Sequence, residues 1–221
     1  MITGVILDMD GLMIDTERLS VSGWIYAGKQ IGYDIPKELI LKTLGLDIKN
    51  TETVFLSYYG NQFTFSKLRD IRNDYVERYI ENNGVPIKPG LYDLLEYLGS
   101  SNYKYAVATS ATKSRVERYF ENAGLSNIKK IVTGDMIERG KPEPDIYIKA
   151  CELINLPPDE CIALEDSPMG ILSASRAGLK PIMIPDLILP DNETKQLLWS
   201  LLPDLYSVKD LLTAQTNGEK V

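Results

Sequence analysis

Apolar side chains recur with a helical period in one segment of the chain, residues 16–83. Leu68, Ile71, Tyr75 and Tyr79 are spaced three or four positions apart, as they are on one face of a helix. The segment therefore predicts a small helical bundle. We expect its later helices at Pro36 to about Leu44, Thr51–Tyr59 and Phe65–Glu81, after a first helix that begins at Thr16.

The rest of the chain alternates short apolar runs with helical stretches. The expected strands are Gly4–Leu7, Lys104–Thr109, Lys130–Thr133, Cys161–Leu164 and Pro181–Ile184. The expected helices are Leu91–Leu98, Lys113–Ala123, Asp145–Ile154, Met169–Ala177, Asn192–Leu201 and Val208–Leu212, with a disordered tail after Ala214. Strands and helices joined by short loops predict an α/β fold with a doubly wound parallel sheet. We expect residues 1–15 and 84–221 to form this core and 16–83 an inserted all-helical domain.

Composition and net charge limit the kinds of molecule that the protein is expected to bind. The 221 residues are 44% hydrophobic and 25% charged, which is typical of a globular protein with a real core. The net charge is −7 and no Lys/Arg-rich run is present, so nucleic acid and anionic membranes are poor partners. Asp8 and Asp10 interrupt the apolar stretch that a signal peptide would need. We expect a cytoplasmic protein that acts as a monomer on a small molecule.

Several catalytic classes are excluded by residues that the sequence lacks. It has no histidine, which rules out Ser-His-Asp triads, His-based zinc sites and imidazole acid–base chemistry. Neither Gly-x-Gly-x-x-Gly nor a P-loop occurs. Cys151 and Cys161 form no CxxC pair, and we expect reduced, packed thiols.

The first strand leads directly into two carboxylates, Asp8 and Asp10, followed by Gly11. Acidic groups this close repel one another unless a cation or a proton separates them, and Mg²⁺ is the natural cation for oxygen ligands. An ordinary Asp-x-Asp-Gly turn is the plain alternative. An EF-hand loop is excluded, because its glycine and glutamate positions hold Met13 and Leu19.

Polar residues also follow three other expected strands. Thr109-Ser110, Lys141 and Glu165-Asp166 should all lie at the carboxyl edge of the sheet, where α/β proteins bind ligands. Each has a plain alternative: a helix cap, a solvated lysine and a turn before a helix. Together they suit phosphoryl transfer, in which a carboxylate attacks phosphorus and cations neutralise the phosphoryl oxygens.

Four segments in order resemble the motifs of the haloacid dehalogenase-like superfamily. They are residues 8–17 (Asp-Met-Asp-Gly-Leu-Met-Ile-Asp-Thr-Glu), 107–110, 140–145 and 164–170. The resemblance extends from residue 4 to about 184. It is closest to the phosphatase and β-phosphoglucomutase branch, which carries a helical cap after the first motif, where residues 16–83 stand.

The resemblance implies a role for each motif residue. Asp8 would be the nucleophile, and Asp10 the acid that protonates the leaving group and then the base that activates water. Mg²⁺ would be held by the Asp8 carboxylate, the Asp10 backbone carbonyl and Asp166, with Glu165 either a ligand or behind the ligands. Dehalogenase chemistry is disfavoured, because those relatives lack the second aspartate. The phosphoryl group would be bound by Thr109, Ser110 and Lys141.

The helical segment offers fewer matches. Trp24 resembles a substrate-facing tryptophan, although a core position in the bundle explains it equally well. Gly45 and the loop to Lys49 resemble the specificity loop of the cap, and Thr16, near the end of the first motif, is a further substrate-side candidate.

Three positions in the helical segment favour hydrolysis over isomerisation. Ser20 stands where β-phosphoglucomutases have a histidine, and Ile48 and Ile71 stand near their cationic residues, with Lys49 a shifted substitute. A mutase needs cations for the second phosphate of its bisphosphate intermediate. We therefore expect a Mg²⁺-dependent phosphatase of a sugar or nucleoside monophosphate. The alternatives are a β-phosphoglucomutase-like phosphotransferase and a non-catalytic binding protein, which would have lost its motif residues.

Overall fold

The computed structural model describes residues 2–44, 46 and 48–216. Its backbone divides into two compact units. One consists of the chain up to Ile14 together with the chain from Ile87 onward, and the other is Asp15–Pro86. The first unit is α/β and the second is all-helical.

A parallel sheet forms the centre of the first unit. In the described part of the chain its strand order is β3-β2-β1-β4-β5-β6, which confirms the predicted α/β fold. β1 lies between β2 and β4, and all four of its residues are buried, as expected from its unbroken apolar run. The strands are β1 (Gly4–Leu7), β2 (Lys104–Ala108), β3 (Ile131–Val132), β4 (Cys161–Glu165), β5 (Lys180–Met183) and β6 (Ser200–Leu201).

Helices make up the second unit and cover the sheet in the first. No helix among residues 2–44, 46 and 48–216 has the length and apolar character needed to cross a bilayer. The second unit contains α1 (Thr16–Gln30), α2 (Lys37–Leu41), α3 (Ile48–Tyr59) and α4 (Phe65–Asn83). The first unit contains α5 (Leu91–Ser100), α6 (Lys113–Asn122), α7 (Asp145–Ile154), α8 (Pro168–Arg176), α9 (Asn192–Leu197) and α10 (Leu205–Thr216).

The sequence prediction was wrong around β6. A helix was expected over Asn192–Leu201, but α9 ends at Leu197 and the chain then joins the edge of the sheet. Trp199 donates its backbone N–H to Pro181, and Leu202 donates to Met183. These bonds to β5 replace the helical ones. A two-residue strand is too short to show a period in the sequence.

Several helix ends also differ from expectation; α3 begins at Ile48 and not at Thr51, and α10 begins at Leu205 and not at Val208. The second predicted helix was to reach Leu44, whereas α2 stops at Leu41 and Lys42–Leu44 form a turn. The expected disorder after Ala214 is wrong for the next two residues, because α10 continues to Thr216. The Thr216 hydroxyl donates to the Leu212 carbonyl, which holds the last turn.

One part of the core of the first unit lies between the sheet and α7. Ile6, Ala163 and Tyr147 are among the buried residues of one cluster there. Cys151 on α7 and Cys161 at the start of β4 belong to the same cluster and are free thiols. This packing fixes the face of α7 that carries Tyr147 towards the sheet.

Candidate active site

Strand register places Asp8 between two other motif segments. Leu7, the last residue of β1, pairs with Val107 on β2 and with Leu164 on β4. Because all three strands are parallel, Asp8 emerges at the edge where Glu165 ends β4. Asp8 is buried, and its backbone N–H donates to the Leu164 carbonyl at 3.0 Å.

Lys141 joins the first and fourth motifs. Its ammonium group lies 2.5 Å from Asp8 Oδ1 and 2.5 Å from Glu165 Oε1. Burial raises the pKa of Asp8 well above its usual 3.8, and the Lys141 charge offsets this only in part. Burial lowers the pKa of Lys141, but the two carboxylates raise it by more, so the amine stays charged. The structure thus brings together three of the predicted site residues.

Glu165 is held by five hydrogen-bond donors. Oε1 accepts from Lys141 and from the hydroxyl of Tyr147, at 2.5 and 2.8 Å. Oε2 accepts from the backbone N–H of Asp166 and from both the N–H and hydroxyl of Ser167, at 3.0–3.2 Å. A carboxylate offers about four lone-pair sites, so this one has little capacity left for a metal ion. The geometry favours a supporting role for Glu165.

Sequence reasoning missed Tyr147. Burial and the Glu165 charge raise the pKa of Tyr147 well above 10.0, so the phenol stays protonated and its hydroxyl donates a hydrogen bond to Glu165. A tyrosine on an apolar helix face gives no sign of this contact. Its position six residues after Lys141, on the helix that the Lys141 loop enters, is the one available signal.

Three carboxylates converge at this edge of the sheet. One oxygen from each of Asp8, Glu165 and Asp166 lies within 4.8 Å of the others. Glycine makes the approach possible at two places: a β-carbon at Gly11 would collide with the Asp166 carboxylate, and one at Gly170 with the Glu165 carboxylate. Gly11 also has a φ of 82°, which other residues rarely adopt. Of these carboxylates, Asp8 and Asp166 offer the hard oxygen ligands that suit a divalent cation such as Mg²⁺.

Thr109 and Ser110 follow β2 at the same edge. Thr109 is buried, and its hydroxyl oxygen accepts the Ala111 N–H at 3.1 Å. This bond leaves the hydroxyl hydrogen to be donated. Ser110 is exposed. Its backbone packs so closely on Gly134 that a β-carbon at position 134 would clash with the Ser110 carbonyl. The structure therefore places both residues in the loop between β2 and α6, beside the end of β1.

Asp10 is paired with a residue that sequence reasoning did not single out. Arg115 Nη2, in the first turn of α6, donates to Asp10 Oδ1 at 2.7 Å. The two residues are 105 positions apart in sequence. An arginine near the start of a predicted helix has no local feature that would connect it with Asp10. The parallel order of β1 and β2 brings the two loops together.

Comparison with known proteins agrees with this arrangement. The model of the haloacid dehalogenase-like hydrolase family matches residues 5–184, a range that includes all four motifs. The chain belongs to this family.

Two similar sequences and one solved structure extend the comparison. PpaX of Caldanaerobacter subterraneus, whose name refers to pyrophosphatase activity, is 31% identical over 212 residues, 95% of this chain and 91% of that protein. Hexitol phosphatase A of Escherichia coli is 28% identical over 181 residues, 82% of each chain. A crystal structure of CbbY from Rhodobacter sphaeroides with xylulose-1,5-bisphosphate superposes with a TM-score of 0.74 at 25% identity, covering 93% of this chain and 95% of that one.

The candidates in the helical unit of this hydrolase have separate surroundings. Trp24 is 5% exposed, and its ring lies 5.2 Å from that of Phe55 and 5.7 Å from that of Phe65. This packing favours the core role that the sequence left open. Thr16 is buried at the start of α1, and Lys49 is exposed on α3. Gly45 lies outside the described residues.

The helical unit contains a cation that sequence reasoning did not single out. Arg72, on α4 next to Ile71, donates from Nη2 to the hydroxyl of Ser20 at 2.5 Å. Its guanidinium carbon also lies 5.2 Å from the centre of the Trp24 ring. The sequence comparison located the expected cation at Ile71, one position before the arginine, and therefore missed the charge that the fold brings to Ser20.

Proposed function

We propose that this hydrolase is a Mg²⁺-dependent phosphatase that acts on a small phosphorylated metabolite through an aspartyl-phosphate on Asp8. The observation that carries the proposal is the buried Asp8–Lys141–Glu165 cluster, with Asp166 beside it. Such a cluster joins a carboxylate nucleophile to a cation that can neutralise a phosphoryl group. The resemblance of the chain to hexitol phosphatase A supports a sugar phosphate as substrate. The cytoplasmic location and the monomeric state of the protein stay predictions.

In the first half of the reaction, an oxygen of the Asp8 carboxylate attacks phosphorus as the bond to the leaving oxygen breaks. Asp10 gives its proton to that oxygen and becomes a carboxylate. The Lys141 ammonium, already 2.5 Å from Asp8 Oδ1, lies where it can bind the phosphoryl oxygens as charge develops. The Thr109 hydroxyl and the Ser110 backbone N–H supply further donors.

In the second half, Asp10 takes a proton from a water molecule as the water oxygen attacks phosphorus. The P–O bond to Asp8 breaks, its electron pair returns to the Asp8 carboxylate, and inorganic phosphate leaves. The residues that would hold Mg²⁺ are the carboxylates of Asp8 and Asp166 and the backbone carbonyl of Asp10. When bound, the ion would neutralise phosphoryl oxygens and favour the charged form of the nucleophile. Glu165 would support the site by fixing Lys141, since its own oxygens are saturated with donors.

The proposal is tested by phosphate release from a panel of sugar and nucleoside monophosphates with and without Mg²⁺. We expect release from at least one sugar phosphate, with dependence on Mg²⁺. Asp8→Asn should abolish it, because the amide keeps the shape and lacks the charge of the nucleophile. Asp204→Asn, in the same unit on a carboxylate that binds Ser207, is the matched control. Activity of Asp8→Asn equal to wild type would refute the mechanism.

A phosphomutase is the second candidate, and Arg72 is the observation that favours it. Its guanidinium, next to Ser20 and Trp24, offers the helical unit a cation of the kind that a second phosphate requires. The bisphosphate seen in the CbbY structure adds a sugar with two phosphates to the substrates worth testing.

The two candidates are separated by incubation with β-glucose 1-phosphate, Mg²⁺ and a catalytic amount of the 1,6-bisphosphate. A phosphatase gives at most glucose and inorganic phosphate. Conversion to glucose 6-phosphate would identify a mutase, and loss of that conversion in Arg72→Ala would assign the second phosphate to Arg72. Arg69→Ala, on the same helix, is the control.

A further inference from the structure

The ion pair between Arg115 and Asp10 links two loops at the carboxyl edge of the sheet. Arg115 Nη2 donates to Asp10 Oδ1 at 2.7 Å, and the two side chains are 38% and 22% exposed. Charge pairs with this degree of exposure contribute little to folding stability. We therefore expect the contact to act on the orientation of the Asp10 carboxyl group.

Arg115 is itself held in place from two directions. Its guanidinium carbon lies 5.1 Å from the centre of the Tyr119 ring, and Tyr119 is buried one turn later on α6. The start of α6 is fixed because the Asp135 carboxylate accepts the backbone N–H of Lys113. A guanidinium supported in this way is preorganised towards Asp10.

The position of Arg115 is unfavourable for the helix. It lies in the first turn of α6, where the helix dipole is positive and acidic residues are preferred. The helix dipole therefore does not explain an arginine at this position. It contacts both the Tyr119 ring and the Asp10 carboxylate.

We propose that Arg115 is a positioning residue for Asp10, in a reaction that rests on the function proposed above. By binding Oδ1 it restricts rotation of the carboxyl group, so that the proton is delivered in one direction. When Asp10 gives that proton to the leaving oxygen, the electron pair of the broken P–O bond goes to the same oxygen. The carboxylate that remains on Asp10 is stabilised by the guanidinium.

The test compares Arg115→Ala, Arg115→Lys and the control Arg118→Ala on an alkyl and an aryl phosphate. Arg118 is a suitable control because its guanidinium carbon lies 5.4 Å from the same Tyr119 ring. For the alkyl ester we expect Arg115→Ala to lower kcat about tenfold, with KM unchanged within about twofold. The aryl ester, which leaves without full protonation, should lose less. Arg115→Lys should restore part of kcat, and Arg118→Ala should resemble wild type.

A double-mutant cycle with Asp10→Asn completes the test. If Arg115 acts through Asp10, adding Arg115→Ala to Asp10→Asn has no further effect on kcat. An equal loss in both backgrounds would overturn the proposal. So would a rise in KM alone, which would instead make Arg115 a substrate-binding residue. Thermal unfolding of each variant identifies loss of fold, and in that case Arg115→Lys decides. Failure of wild type to hydrolyse either ester would refute the proposed function instead.

Discussion

Replacing Tyr147 by phenylalanine removes one hydroxyl from the buried support of Glu165. The ring and its packing between α7 and the sheet are kept, and the lost contact is the 2.8 Å hydrogen bond to Oε1. A hydrogen bond to a charged group contributes about 1.5–3 kcal/mol. Four donors to Glu165 remain, so we expect the lower end, about 1.5 kcal/mol of unfolding free energy. For a chain of this size that lowers Tm by about 3–6 °C.

The same change should reduce activity, because Glu165 holds the Lys141 ammonium against Asp8. A loss of about 1.4 kcal/mol in the transition state would lower kcat/KM about tenfold. Calorimetry and phosphate release measure the two effects. Tyr92→Phe is the matched control, since its hydroxyl bonds the Ala123 carbonyl at the surface. Tyr147→Phe with wild-type Tm and wild-type kcat/KM would show that Glu165 does not depend on the hydroxyl.

Three further predictions concern charge. Lys141→Met leaves the buried carboxylates of Asp8 and Glu165 without their shared cation. In the presence of a chelator we therefore expect the free energy of unfolding to fall by about 3 kcal/mol. Denaturant titration measures this, and an unchanged midpoint would contradict it. Chelation of divalent ions should stop phosphate release and excess Ca²⁺ should inhibit it; an undiminished rate in chelator would remove the metal from the account. Asp191 caps α9 by accepting a hydrogen bond from the Thr194 N–H, and this bond lowers the pKa of Asp191 below 3.8. The stabilisation that the cap gives the protein is therefore present above pH 3.8 and is lost as the pH falls further. Asp191→Ala should therefore lower Tm at pH 7 and not at strongly acidic pH, and a Tm difference independent of pH would refute the cap.

The parts of the fold set by local pattern could be predicted from the sequence. β1 and α7 have the expected bounds, because an unbroken apolar run and an amphipathic stretch each give a clear signal in the sequence. β6 could not be predicted, because its two residues are strand only through hydrogen bonds to β5. The edge at which Asp8, Lys141 and Glu165 meet followed from the parallel arrangement alone.

The contacts that complete the site could not be predicted, because each depends on geometry between distant segments. Arg115 meets Asp10 because α6 follows the strand beside β1, and Tyr147 meets Glu165 because α7 packs across the sheet. Arg72 shows a further limit of sequence comparison. The comparison considered Ile71, whereas the next residue, Arg72, is the one that contacts Ser20. On a helix, one residue corresponds to a rotation of about 100°, so alignment by sequence position alone is too coarse.

The central claim is that Asp8 carries the phosphoryl group during turnover. Protein mixed with a sugar phosphate that it hydrolyses and Mg²⁺, quenched within the first turnover and reduced with borohydride, should contain homoserine at position 8, the reduction product of an acyl phosphate. Mass spectrometry of the peptide that contains Asp8 reads this directly. The account predicts conversion at residue 8, and none at that residue when substrate is omitted. Conversion at Asp10 with residue 8 unmodified, or phosphate release with no acyl phosphate on either residue, would contradict it.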